Sequence, residues 1–194
     1  MNKQNSQDKY DKLADKIIKK YADYEREEFE DRNVLERKIF PWVLAELEPE
    51  TILDIGREEY QKFYNHFFTE RELWSMDFDP KSKKWGAKNH ITGDAVDVGE
   101  LFKEKYFDVV FMNGVFGWGL NEPAKIEKCF AAIYKILKPG GFFVLGYNDW
   151  DALPMKVEDI KNLKKLKPFV FPPLNSEKFK CINGEHTYRF YKKD

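Results

Sequence analysis

Cysteine is scarce in this chain: 194 residues hold two, Cys129 and Cys181, far apart and without Cys-x-x-Cys spacing. That argues against a disulfide framework or a thiolate zinc centre, and two free thiols are expected. Net charge is almost absent, with 33 basic against 34 acidic residues. No global field therefore steers the protein to nucleic acid or to an anionic membrane. The lysine clusters at 81–84 and 161–167 read as solvated faces. No apolar run approaches the about 18 residues that a membrane span needs. Residues 1–11 are polar and lack the apolar stretch of a secretory signal. The three histidines, His66, His90 and His186, form no metal-ligand spacing with cysteine or acid, so no metal is expected. Gly-x-Gly-x-x-Gly, the phosphate loop and the Gly-x-Ser-x-Gly elbow are all missing. With these absences the expectation is a cytoplasmic protein without nucleic-acid or membrane partners and of undefined oligomeric state.

What is present is a globular composition, 42% hydrophobic and 16% aromatic, in a length suited to one structural unit. Residues 1–8 are polar and expected to be disordered. Over residues 10–47 apolar side chains recur at helical steps: Leu13, Ile17, Ile18, Tyr21 and Tyr24, then Val34, Ile39, Phe40, Val43, Leu44 and Leu47. The acidic interval 24–32 reads as solvated, and Pro41 as a break or a new helix start. Residues 1–49 thus form a helical N-terminal extension, and residues 50–194 the main domain. There, short apolar runs at 51–56, 73–78, 90–95, 107–113 and 141–148 alternate with helical spacing at 58–68, 98–106 and 122–137. Alternation of this kind predicts a parallel sheet with helices on both faces, a three-layer α/β sandwich. A further helix is expected at 157–166. The final runs, 178–182 and 186–192 around Asn183-Gly184, predict an antiparallel hairpin.

In an open parallel sheet, ligands sit beyond the carboxyl ends of the strands. Here every such end is small or polar: Asp54 and Gly56, Asp77 and Asp79, Gly93-Asp94-Ala95, Asn113-Gly114, and Tyr147-Asn148-Asp149. An acid ending strand two can accept from both ribose hydroxyls, which places Asp77. An acid after strand three can accept from an exocyclic amine, which places Asp94. Read singly, the stretch from Asp77 to Pro80 is equally a turn with helix-capping acids. The loop 113–121 interleaves three glycines with Phe116 and Trp118, which are expected to present both rings at the pocket mouth.

The ordered series Ile52-Leu-Asp-Ile-Gly56, Met76-Asp77, Gly93-Asp94-Ala95, Phe107-Asp-Val-Val110 and Leu137-Lys-Pro-Gly-Gly141 resembles the class I S-adenosylmethionine-dependent methyltransferases. The resemblance covers about residues 50 to 150 and implies a Rossmann-like, seven-stranded, mostly parallel sheet with an antiparallel C-terminal hairpin. It implies S-adenosyl-L-methionine as cofactor, held by Asp54, Gly56, Tyr60, Asp77, Asp94, Ala95 and Asn113. Phe116, Trp118 and Asn148 would line the substrate pocket, and Asp149, Tyr147 and His186 are the candidate catalytic groups. The departure is the first turn: where such proteins carry Gly-x-Gly, this chain runs Gly56-Arg57-Glu58-Glu59-Tyr60. Arg57 there is either a contact for a carboxylate or a surface residue. The expected activity is methyl transfer to oxygen or nitrogen of a small molecule, possibly a carbohydrate or metabolite. An inactive scaffold binding a partner protein and a NAD-dependent oxidoreductase are the alternatives.

Overall fold

The computed structural model describes residues 3–21, 29–182 and 184–194. Most of the acidic interval expected at 24–32, and Asn183 of the hairpin turn, lie outside the described residues. Among the described residues eight strands form one sheet: β1 Thr51–Ile55, β2 Glu72–Asp77, β3 Asn89–Thr92, β4 Phe107–Asn113, β5 Leu137–Asn148, β6 Lys167–Pro168, β7 Lys178–Lys180 and β8 His186–Lys192. Their order is β3-β2-β1-β4-β5-β8-β6, with β7 also on β8. The first five run parallel, and β8 returns antiparallel along β5 from Phe142↔Lys192 to Asn148↔His186. One strand more than the expected seven is present because the outer edge is divided into the short pieces β6 and β7.

Alternation along the strands builds two apolar layers. Leu53, Ile55, Val110, Met112, Phe143 and Leu145 face the helix Pro123–Ile136. Ile52, Val109, Phe111, Phe142, Val144 and Phe190 face the helical segment 30–47 and the aromatic turn around Phe63, Phe67 and Phe68. Each fully buried ring contributes about 1.5–3 kcal/mol by leaving water.

The helices depart from the sequence expectations for local reasons. Residues 3–8, expected disordered, begin the helix Lys3–Lys20. Pro41 neither breaks nor starts a helix: helical backbone runs through it from 30 to 47. Wide π turns at Leu35–Ile39 and Val43–Leu47 flank it, and the Phe40 N–H bonds back to the Leu35 carbonyl. Such a turn accommodates the proline's missing donor. Only Val98–Leu101 of the expected 98–106 helix forms. The chain turns away because the Lys105 and Tyr106 N–H groups cap the Lys135 and Ile136 carbonyls ending the Pro123–Ile136 helix. At 157–166 two 3-10 turns replace a helix, since the Lys161 and Asn162 N–H groups donate to the Glu127 carboxylate. After the same long helix, β5 begins at Leu137, opposite Phe107, and bulges before pairing resumes at Val109↔Phe142.

Candidate functional site

Chain order runs outward from β1 to β3 and then returns to β4 beside β1, so the sheet's switch point lies between β1 and β4. A cavity of about 670 Å³ opens at that point, beyond the strand ends. Gly56 forms part of its floor at φ +91°; a Cβ there would stand 2.7 Å from Val115 Cγ2 and 2.8 Å from the Asn113 carbonyl. The loop hugs the end of β4 that closely only with glycine.

Arg57 is not the surface residue that one of the two expectations made it. Its side chain is fully buried, and its guanidinium pairs with Asp54 Oδ2 at 3.2 Å. It also donates to the Gln61 carbonyl at 2.7 Å and to Asn65 Oδ1 at 3.0 Å. Its backbone N–H donates to Asp77 Oδ2 at 2.7 Å, and its carbonyl accepts from Trp85 Nε1 at 3.0 Å. A reciprocal capping box between Glu58 and Gln61 then launches the 3-10 helix Glu59–His66. One arginine thus ties β1, the turn, β2 and the following helix together. Asp54 does not line the cavity. Burial pushes its carboxyl up to about 6 against the opposing pull of Arg57, and its Oδ1 is buried without a partner.

Of the other expected cofactor residues, Gly56, Tyr60, Asp77, Asp94, Ala95 and Asn113 all line the cavity. Asp77 accepts the Arg57 N–H on Oδ2 and the Asp79 N–H, at 2.8 Å, on Oδ1. Each oxygen keeps a further lone pair for a diol. Asp94 Oδ1 caps the 3-10 turn Ala95–Asp97 through the Val96 N–H at 3.0 Å. The exposed rings of Phe78 and Trp118 flank this end, with Trp118 packed on Trp150 at 4.9 Å.

Phe116 corrects the expectation for its loop. It is fully buried and packs on Phe130 and Tyr147, under the loop rather than at the mouth. Tyr147 points into that same layer, its hydroxyl accepting from Arg189 Nε at 3.0 Å. Asp149 is paired with Lys178 at 3.0 Å and does not line the cavity. His186 alone of the three catalytic candidates lines it, beside Asn148. The His186 Nδ1 lies 2.9 Å from Asn148 Oδ1, an atom that only accepts, so Nδ1 carries the proton and Nε2 the lone pair. Desolvation lowers the His186 pKa, with Asp31 pulling the other way. His186 Nε2 and both polar atoms of Asn113 are buried without partners.

The sequence alone did not point to Asp31, Leu35, Tyr64, Trp85 and Tyr188, which also line this space. Tyr188 was within reach, since it shares a strand face with His186 two residues before it. Its hydroxyl donates to the Asp31 carbonyl at 2.9 Å, which brings the 30–47 segment over the pocket. Tyr60 carries the Arg32 guanidinium over its ring at 3.5 Å. Among the described residues no cluster of histidine, cysteine and acid is arranged for a metal ion. No described helix is long and apolar enough to cross a membrane.

A family profile described as "Methyltransferase domain" matches residues 53–145. No curated protein matches the sequence significantly. Among solved structures, the N-methyltransferase NodS from Bradyrhizobium japonicum WM9, in complex with S-adenosyl-L-homocysteine, is similar. It is 15% identical with a TM-score of 0.58, over 95% of this chain and 98% of that one. The 1,6-didemethyltoxoflavin-N1-methyltransferase of Burkholderia thailandensis, with bound 1,6-didemethyltoxoflavin and S-adenosylhomocysteine, gives 18%, 0.55, 93% and 87% in the same order. TehB from Haemophilus influenzae gives 13%, 0.61, 94% and 67%. At these identities the likeness shows a shared fold.

Proposed function

We propose that the cavity binds S-adenosyl-L-methionine and that the protein methylates a small molecule; in support, residues 53–145 match a methyltransferase-domain profile and the fold is shared with a methyltransferase that carries S-adenosylhomocysteine. The observation that carries this is the open cavity at the switch point, walled by Gly56, Asp77, Asp94 and Ala95. The residues suit the cofactor: a Cβ-free floor at Gly56, an acid for a diol, a second acid beside an apolar slot, and flanking aromatic rings. Among the described residues that line the cavity, five carry carboxylates, Asp31, Glu58, Asp77, Asp79 and Asp94, and one a permanent cation, Arg57, which is held by Asp54. That balance favours a cationic sulfonium.

When bound, the cofactor supplies an already activated methyl group. The protein's part is then to position the acceptor, exclude water and take up a proton. Among the groups at the cavity, His186 Nε2 is the lone-pair acceptor suited to the last task. Two of the similar structures are N-methyltransferases, one of them with a bound small molecule, which accords with a small-molecule acceptor.

Isothermal titration with S-adenosylhomocysteine and NAD tests the proposal. Micromolar to millimolar binding of the sulfur compound and none of NAD is expected. Absence of sulfur-cofactor binding would sink the enzyme reading in favour of a scaffold. Asp77→Ala should weaken binding by about 1–3 kcal/mol, the scale of a lost hydrogen bond to a charged acceptor.

A further inference from the structure

We propose that Glu58, with Asp31, makes this protein hold the cofactor's amino-acid arm by its amino group and leave the arm's carboxylate to water. This rests on the methyltransferase reading and specifies how the altered first turn discriminates among sulfur nucleosides.

Glu58 stands where the second glycine of Gly-x-Gly would, and the turn around it uses its own donors. The Gly56 N–H donates to the Met76 carbonyl at 2.8 Å, the Arg57 N–H to Asp77 Oδ2 at 2.7 Å, and the Glu58 N–H to Gln61 Oε1. The N-terminus of the helix Glu59–His66 would otherwise attract an anion. Glu58 supplies that anion itself, its carboxylate accepting from the Gln61 N–H. The Arg57 guanidinium is turned inward, onto Asp54, the Gln61 carbonyl and Asn65. Arg32 stacks on the Tyr60 ring and does not line the cavity. What the neighbouring wall still offers is neutral: the hydroxyls of Tyr60 and Tyr64 and the Gln61 amide. A carboxylate entering here finds no cation among the described residues.

An ammonium finds two partners. Asp79 caps its own turn through the Lys81 N–H at 2.9 Å. With Asp77 suited to the diol and Asp94 to the base, the carboxylates left for the amino-acid arm are Asp31 and Glu58. Neither is ion-paired among the described residues. Attraction for the amino group and repulsion of the carboxylate act in the same direction, and specificity is the difference between the two. One substitution, glutamate for glycine, has thus reversed the sign of the turn: a stretch of free amides would welcome an anion, and this one rejects it.

Two analogues of S-adenosylhomocysteine test this on the full chain. In one the carboxylate is replaced by hydrogen, in the other the amino group. They differ only in the charge at the end of a three-carbon arm, and 5′-methylthioadenosine, without that arm, is the reference. Isothermal titration should show the amine analogue binding at least as tightly as S-adenosylhomocysteine and at least about tenfold more tightly than the acid analogue. Glu58→Gln keeps an oxygen to cap the helix and removes the charge. The amine-to-acid ratio should then fall at least about threefold while 5′-methylthioadenosine binds as before. Asp31→Asn, outside the turn, should lower the ratio in the same way. Equal or tighter binding of the acid analogue overturns the proposal, as does a ratio that neither substitution changes. Binding of 5′-methylthioadenosine without discrimination between the analogues removes this inference and leaves the cofactor reading standing. Failure of every one of these nucleosides to bind removes both.

Discussion

The Asp54 carboxyl is buried and held up at about 6, mainly by desolvation, above the about 3.9 of an unfolded chain. The folded state therefore binds this proton more tightly than the unfolded state does. The stability this contributes is complete below the unfolded value and lost as pH rises through about 6. Urea-unfolding midpoints of the native protein and Asp54→Asn, compared from acid to neutral pH, should show the native protein losing ground across that window and running parallel above it. Such a carboxylate was legible as a strand-end acid, yet its burial was not. Its partner Arg57 lies three residues on, and only the turn at Gly56 brings the two together. Phe116 and Trp118 show the same limit. Inside a strand, alternation decides which side chain goes inward, but a glycine-rich loop has no period to read, and one ring went each way.

Elements were legible where burial was continuous. The nearly all-apolar run of β4 sits between two parallel neighbours, and the long helix Pro123–Ile136 kept its expected span within a residue. Short helices were not, because distant groups compete for their backbone, as Glu127 does at Lys161 and Asn162. The end of the long helix shows how such competition stabilises a junction. Lys193, buried at the chain's far end, donates through Nζ to the Tyr134 and Leu137 carbonyls at 2.6 and 2.8 Å and lies over the Tyr134 ring. Lys193→Met keeps the apolar stem and deletes both donors. It should lower unfolding stability by about 1–3 kcal/mol, the cost of buried acceptors left unpaired, as read by urea denaturation.

The cavity lies where layers meet, with one side built from the ends of β1 to β4 and the other from β5, β8 and the 30–47 segment. The sheet, its switch point and its strand-end acids could be read from the order of motifs. The convergence of Asp31, Asn113 and His186 could not, since it joins three stretches distant in sequence. Ligand binding should stabilise this assembly as a unit. S-adenosylhomocysteine at a hundred times its dissociation constant should add about 2.7 kcal/mol to unfolding stability, measured as a raised thermal midpoint. Arg57 decides how that binding proceeds. Its bonds to Asp54, Gln61 and Asn65 fasten the first turn from within, so the loop does not wait for a ligand to become ordered. Backbone amides from 57 to 61 should exchange slowly with deuterium in the ligand-free protein, and Arg57→Met should make them fast. In that state the cofactor meets a finished wall, and its affinity is spared the entropy of folding one.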